Sequence, residues 1–119
     1  MHGGCITGHV TTGNYGGGIH INSGATFEMY GGSITKNQAS NGGAIGVYGY
    51  AERTTNILIA GGTISENKAT SHGGAIYTMH GGTWAEPGVT AVEIAGGEIA
   101  NNEATTIAGG IFTTGAQCP

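Results

Sequence analysis

The stretch GGSITKNQASNGGAIGV at residues 31–47 returns as GGTISENKATSHGGAIYT at residues 61–78. A third copy, GGEIANNEATTIAGGIFT, occupies residues 96–113, and a weaker copy, GGCITGHVTTGNYGGGIHI, occupies residues 3–21. A repeat of this length is typical of solenoid proteins, in which one repeat cannot bury its apolar face without its neighbours. The repeats therefore predict a solenoid whose coils stack with equivalent residues above one another.

Each coil contains three short pieces in which apolar and polar residues alternate, as in SIT (33–35), AIGV (44–47) and TNILIA (55–60). Alternation with a period of two predicts strands that are buried on one face, and no apolar set falls at helical spacing. We therefore predict an all-β, parallel β-solenoid of about four coils with three short strands each. It is expected to form a single domain over residues 1–119, with coils at approximately 1–30, 31–60, 61–95 and 96–119.

An asparagine follows the first strand of three coils, at Asn37, Asn67 and Asn102, and His9 takes this place in the first coil. An inward Asn at a corner can hydrogen-bond the backbone turn and the Asn of the next coil. We therefore predict a structural ladder of these three asparagines. The paired glycines before the strands are expected to make sharp corners, because glycine readily adopts positive φ.

The composition excludes several classes of protein. Gly accounts for 26 residues but Pro for only 2, which excludes collagen. Lys and Arg together number 3, and the formal net charge is −4, so nucleic acid is not expected as a partner. The apolar runs are shorter than the roughly 20 residues of a membrane-spanning helix, so no membrane span is predicted.

The shared pattern, GGxIxxNxA followed by GG(A/G)I, resembles the degenerate repeats of right-handed parallel β-helix surface proteins. These include adhesins and autotransporter-like or polymorphic outer-membrane-type proteins, whose repeats carry GGAI and a nearby Asn. The resemblance covers nearly the whole chain and implies a right-handed coil in an extracellular or cell-surface protein of a bacterium. It implies fold more than function, because pectate-lyase-like enzymes share this architecture.

No catalytic residue, cofactor or metal site is predicted. Enzymes of this architecture rely, by resemblance, on clustered Asp residues, whereas the 7 acidic residues of this chain are all Glu. Glu28 and Glu93 are the pair that merits weighing, because they bracket Leu58 on an outer face, near the wide limit for inverting glycosidases. Surface glutamates that keep this face soluble explain the same pattern. The 5 histidines share no stacked position at which a metal could bind.

Two insertions between the second and third strands carry aromatic and polar side chains, at Tyr48, Tyr50, Arg53, His80 and Trp84. The insertions stand at the same station of adjacent coils, so we predict that these residues form one ligand-binding patch. Exposed aromatic side chains suit stacking on sugar rings or anchoring of a protein partner. The alternative is that Trp84 folds back and covers the edge of an apolar strand. A further outward stripe, His20–Gly46–Tyr77–Phe112, is expected to pack against these insertions.

Hydroxyl side chains flank the inward Ile of the first strands, at Thr7, Ser33, Thr35, Thr63 and Ser65. Two such ranks, about 7 Å apart along the strand and about 4.8 Å apart between coils, resemble the flat Thr-x-Thr arrays of ice-binding solenoids. The array is broken by Cys5 at one end and by Glu98 and Ala100 at the other. Ser and Thr are also ordinary on any exposed β face.

The two ends of the solenoid lack the polar caps that repeat proteins use for solubility. The chain is therefore expected to be either a fragment of a longer parent, whose neighbouring coils cover these ends, or a unit that stacks head to tail. Cys5 and Cys118 lie in the first and last coils, about 14 Å apart by strand spacing, whereas a disulfide spans at most about 7 Å between Cα atoms. An intermolecular disulfide between stacked copies is geometrically possible.

The sequence as a whole favours a non-enzymatic structural or adhesive segment of a bacterial surface protein that self-assembles end to end into filaments. Its expected partners are a second copy or neighbouring coils of a longer parent, together with a glycan or a host surface protein. A carbohydrate-binding module that uses the loop aromatics is the alternative function, and ice binding through the Ser/Thr face is the third.

Overall fold

The structure is a computed structural model that describes residues 1–13, 15–22, 24–49, 54–80, 82–83, 86–87 and 89–113. The described part of the chain contains strands and no helix. It accordingly offers no helix that is long and apolar enough to cross a membrane.

The strands, numbered in chain order, form four sheets with parallel pairing, which we name A to D in the order that the chain passes through them. Sheet A contains β1 (Cys5–Thr7), β4 (Ser33–Thr35), β8 (Thr63–Ser65) and β14 (Glu98–Ala100). Sheet B contains β5 (Gln38–Asn41), β9 (Lys68–His72) and β15 (Glu103–Ala104). Sheet C contains β2 (Ile19–Asn22), β6 (Ile45–Gly49), β10 (Ile76–His80) and β16 (Ile111–Thr113). Sheet D contains β3 (Thr26–Met29), β7 (Thr54–Ile59) and β13 (Val89–Ile94).

In every one of these sheets, neighbouring strands lie one coil apart in the chain, which is the connectivity of a β-solenoid. One further pair departs from this plan: β11 (Gly82–Thr83) and β12 (Glu86–Pro87) form an antiparallel hairpin between β10 and β13. The all-β class and the parallel pairing that the repeats predict are therefore confirmed.

Sheet B corrects the prediction of three strands per coil, because the chain passes through four sheets in each full turn. Its strands read as polar turns in the sequence, since Ala is their only apolar residue. Ala39 and Ala69 are 1% and 0% exposed, respectively, while the preceding Gln38 and Lys68 face outward to different degrees. The alternation is that of a strand, but a single inward methyl group gives almost no hydropathy signal.

The core is built from ranks, meaning sets of equivalent residues from successive coils. Ile6, Ile34, Ile64 and Ile99 form one such rank in sheet A. The two central members are fully buried, whereas Ile6 and Ile99 are half-buried because each has a neighbouring coil on one side only. Full burial of such a side chain contributes about 1.5–3 kcal/mol, so the central coils carry most of the hydrophobic stabilisation.

The corner between sheets A and B is made by left-handed backbone. Lys36, Glu66 and Asn101 have φ values of 58°, 57° and 56°, and Gly8 takes the same place in the first coil. A residue with a Cβ pays about 1–2 kcal/mol for this conformation. Each of the three non-glycine residues is followed directly by an asparagine of the predicted ladder, whose hydrogen bonds offset the strain.

Candidate functional site

Asn37, Asn67 and Asn102 form a ladder of hydrogen bonds at this corner. The backbone N–H and side-chain Nδ2 of Asn37 both donate to Oδ1 of Asn67 at 3.0 Å. Asn67 repeats the pair with Oδ1 of Asn102, at 3.0 and 2.9 Å. Asn37 and Asn67 are each 1% exposed. Loss of one member would therefore leave buried donors and acceptors unpaired, which costs more than the bonds themselves contribute.

The ladder also has a direction. Each ladder amide reaches back one coil, because Nδ2 of Asn67 donates to the carbonyl of Ile34 at 2.9 Å, and Nδ2 of Asn102 to that of Ile64 at 3.0 Å. The coils of Asn37 and Asn67 thus each donate two hydrogen bonds forward to the Oδ1 of the next Asn. Each also accepts one hydrogen bond from the Nδ2 of that Asn. Among the described residues of the first coil, only the backbone N–H of His9 donates forward to the ladder, to Oδ1 of Asn37 at 3.0 Å.

The outer face of sheet C carries an aromatic cluster of Tyr15, His20, Tyr48 and Tyr77. The Tyr15 ring lies 5.6 Å from the Tyr77 ring at an interplanar angle of 23°. It lies 5.5 Å from Tyr48 and 6.1 Å from His20, in tilted and edge-on geometry. Aromatic pairs in such geometries contribute about 0.5–1.5 kcal/mol each beyond the burial of their area. Tyr15 is therefore the centre of the cluster.

Gly46 explains why Tyr15 can occupy this place. In sheet C, Gly46 lies between His20 and Tyr77 in the outward rank. A Cβ on Gly46 would stand 2.7 Å from the carbonyl carbon of Tyr15 and would collide with the backbone nitrogen of Gly16. The segment at Tyr15 and Gly16 therefore fills the space that the missing side chain leaves. Of the outward stripe predicted from the sequence, Gly46 and Tyr77 lie under this segment of the first coil, whereas His20 is exposed.

Tyr77 is 7% exposed beneath Tyr15. Burial raises the pKa of its hydroxyl, and Tyr15 adds a smaller contribution in the same direction. The Tyr15 hydroxyl itself donates to Sδ of Met79 at 3.4 Å, and a thioether is a weak acceptor. The cluster is thus held together by ring contacts, with His20 exposed at its edge.

Polar groups border the cluster on the side of sheet B. Nδ1 of His72 lies 2.9 Å from Oγ of Ser71 and 3.3 Å from Oδ1 of Asn41. The His72 ring stands 6.4 Å from that of Tyr77. These contacts fix the imidazole as a structural link between the last residues of β5 and β9 and the aromatic cluster.

The structure describes part of the predicted loop patch. Tyr48 belongs to the aromatic cluster, and His80 ends β10, where its backbone pairs with Gly49. Tyr50, Arg53 and Trp84 lie outside the described residues. The strands on either side of Trp84, β11 and β12, pair through Thr83 and Glu86. The patch as a whole therefore stays a prediction, of which the structure describes Tyr48 and the backbone of His80.

The hydroxyl face lies on sheet A, where Thr7, Thr35 and Ser65 are register partners. Thr35 donates to the hydroxyl of Thr7 at 3.2 Å, and Ser33 donates to Sγ of Cys5 at 3.3 Å. These side chains thus bond along their ranks. Cys5 is an exposed free thiol, and Cys118 lies outside the described residues.

Glu28 and Glu93 occupy the outer face of sheet D, each in register with Leu58. The negative charge of Glu28 raises the pKa of Tyr30, with smaller contributions from burial and from their hydrogen bond. Glu28 therefore interacts with a surface tyrosine of its own coil. Among the described residues, no three His, Cys, Asp or Glu side chains are grouped so that they could hold a metal ion.

The sequence pattern does not predict that Tyr15 belongs to this aromatic cluster. It lies in the weak first repeat, at a position that Asn41 and His72 occupy in the next coils. No repeat pattern marks it as aromatic. The usable signal is Gly46, a single glycine in a rank of bulky outward residues, because such a gap indicates that another segment covers the strand.

Comparison with known proteins gives one family match. Residues 61–79 match the family model of the Chlamydia polymorphic membrane protein repeat. No curated protein and no solved structure matches the chain. The matched stretch contains β8, β9 and most of β10, with Asn67 at its corner. The predicted resemblance to polymorphic outer-membrane-type repeat proteins is thus confirmed over the core of the third coil.

Proposed function

We propose that this chain is a non-enzymatic structural and adhesive segment of a bacterial surface protein. The observation that carries the proposal is the match of residues 61–79 to a polymorphic membrane protein repeat. The family description supports a location at the outer membrane or cell surface. The parallel coils supply the rigid scaffold that such a role needs, since nearly the whole interior of the central coils is buried.

The coil in this proposal is a right-handed β-helix. Crossover connections between parallel strands are right-handed in the great majority of proteins. The resemblance of the GGxIxxNxA repeats to right-handed surface proteins supports the same hand.

Adhesion is tested by displaying the chain on a non-adherent bacterium and counting the cells that bind to a host epithelial layer. We expect several-fold more binding than with an unrelated displayed domain of similar size. A displayed Asn67→Ala variant serves as the matched control, because it removes the buried ladder and should bind like the unrelated domain. Equal binding by all three would overturn the adhesive role.

The proposal includes pairing between copies through the end coils. Ile94, Ile107 and Ile111, on the last described strands and bridge, are 47%, 52% and 37% exposed. Unpaired parallel edges of this kind are templates for further strands. Negative-stain imaging and sedimentation over a concentration series should show filaments or rising mass, whereas a monomer at every concentration would remove this part of the proposal.

Carbohydrate binding is the second candidate function. It is supported by the hairpin of β11 and β12, which flanks Trp84, and by Tyr48, which lies in the aromatic cluster. Flat aromatic rings with polar groups nearby suit the apolar faces of sugars. A glycan array should lose its signal with Trp84→Ala and keep it with Tyr30→Ala, an exposed tyrosine on another face. A signal that survives Trp84→Ala would contradict the candidate.

A further inference from the structure

The boundaries between coils show what the ladder contributes to coil pairing. Between the second and third coils, two N–H groups of Asn37 reach Oδ1 of Asn67, and the Asn67 amide reaches back to Ile34. The boundary between the third and fourth coils repeats the same three bonds. A well-formed boundary therefore needs an asparagine on both sides.

Among the described residues, the boundary between the first and second coils has one ladder hydrogen bond fewer than the next boundary. Asn37 donates back to the carbonyl of Ile6 at 3.0 Å, and the backbone of His9 donates forward to Asn37. No side-chain amide of His9 joins them, because an imidazole has no group equivalent to Nδ2 of Asn. His9 is thus a defect in an otherwise uniform rank.

The opposite end of the ladder offers unused donors. Among the described residues, the backbone N–H of Asn102 has no acceptor, and its amide donates only to the carbonyl of Ile64. The carbonyl of Ile99 stands where those of Ile34 and Ile64 accept a ladder amide from the following coil. This end therefore presents two donors and one acceptor that fit an incoming asparagine.

A second copy is the occupant that continues this interface. Continuing the sheet A register would place Ile6 of the second copy opposite Ile99, as Ile6 already lies opposite Ile34. The same register would bring His9 of the second copy to Asn102. Apolar contacts would then repeat across the junction while the ladder is interrupted.

We propose that residue 9 is the specificity-determining position for end-to-end pairing, and that His9 keeps this pairing weak. The inference rests on the pairing between copies proposed above. Asn at this position would accept both donors of Asn102 and donate to Ile99, restoring the full set of bonds. His9 accordingly acts as a partial block that favours a coil with a ladder asparagine over a copy of the same chain.

The test compares self-association of the wild-type chain and the His9→Asn variant by sedimentation velocity over a concentration series. We expect the variant to associate about tenfold more tightly or better, the factor that corresponds to about 1.4 kcal/mol. His20→Asn in the same coil, outside the ladder rank, is the matched control and should associate like the wild type. Asn102→Ala combined with His9→Asn should cancel the gain.

Two readouts keep the outcomes distinct. His9→Asn should also raise the thermal midpoint, because the new amide can reach Asn37 within the chain. A raised midpoint with wild-type association would overturn the inference and leave the proposed pairing intact. Monomers in every variant would overturn both the role of His9 and the end-to-end pairing. The adhesive role is tested by its own assay and would not be affected. If His9→Asn fails to fold, His9→Asp, whose carboxylate oxygen can accept both donors of Asn102, must still strengthen association, and unchanged association would overturn the inference.

Discussion

The asparagine ladder and the aromatic cluster differ in how they relate to the repeat: the ladder follows it, and the cluster depends on residues that depart from it. The ladder uses the same residue in three successive coils, and Asn37 and Asn67 make the same pair of bonds to the asparagine of the next coil. The aromatic cluster uses one residue from the first coil's return segment, Tyr15, against neighbours that differ from coil to coil. The ladder lies inside and is set by the repeat, whereas the cluster lies outside and depends on departures from it.

The ladder therefore stabilises the fold, whereas the aromatic cluster gives one face of this chain its particular surface. The asparagines place the same three bonds at the second–third and third–fourth coil boundaries, so their loss should destabilise several coils at once. A cluster built on one glycine gap should be removable while the coils persist.

Asn67→Ala should have the largest effect. It removes the acceptor for two buried donors of Asn37, and it removes the amide that donates to the buried Ile34 and to the half-buried Asn102. Unpaired buried groups cost about 1–3 kcal/mol each, so we expect a loss of about 3 kcal/mol or more in urea unfolding. Gln38→Ala, on a neighbouring outward position, should change stability by less than about 0.5 kcal/mol. A similar small change for Asn67→Ala would contradict the role of the ladder.

Gly46→Ala should break the aromatic cluster and spare the coils. The new Cβ would stand against the backbone of Tyr15 and Gly16, and overpacking of this kind costs about 1–3 kcal/mol. Near-ultraviolet circular dichroism should lose the tyrosine signal while the far-ultraviolet strand signal stays. Gly110→Ala is the matched control, because a Cβ there meets nothing within 4 Å. Retention of the tyrosine signal in Gly46→Ala would show that Gly46 is not what admits Tyr15.

Two buried threonines test whether an inward polar side chain stabilises the fold only when it has a hydrogen-bond partner. Thr55 accepts the N–H of Gly24 at 3.0 Å, whereas the Thr78 hydroxyl has no hydrogen-bond partner among the described residues. We expect Thr78→Val to gain about 1 kcal/mol and Thr55→Val to lose about 1 kcal/mol, both measured by urea unfolding. The same sign for both variants would contradict the argument.

The smallest predicted effect is a pH dependence from the aromatic cluster. Because burial raises the pKa of Tyr77, the unfolded chain ionises first as pH rises above the ordinary tyrosine value of about 10. The unfolded state then binds fewer protons, so stability should fall with rising pH in that range. Tyr77→Phe should reduce the fall, as followed by unfolding at a series of alkaline pH values. An unchanged fall in Tyr77→Phe would assign it to other tyrosines.

The sequence predicts the strands and their pairing well because Ile recurs between polar neighbours in each repeat. It misses sheet B because the inward residues there, Ala39 and Ala69, carry too little apolar surface to mark a strand. Of the candidate site, Tyr48 is anticipated and Tyr15 is not. Contacts between non-equivalent positions, such as Tyr15 over Gly46, leave no periodic trace, so only the three-dimensional structure places them together.

The direction of the ladder has a consequence for how the chain acquires its shape during synthesis. Each corner is completed by an Oδ1 that belongs to the coil that follows it in the chain. A coil that emerges first therefore keeps two corner donors open until the next asparagine arrives. Folding should therefore proceed from the amino terminus in steps of one repeat. The last folded coil should always lie one repeat behind the growing end of the chain. Protease resistance of nascent chains arrested after Asn67 and after Asn102 would reveal those steps.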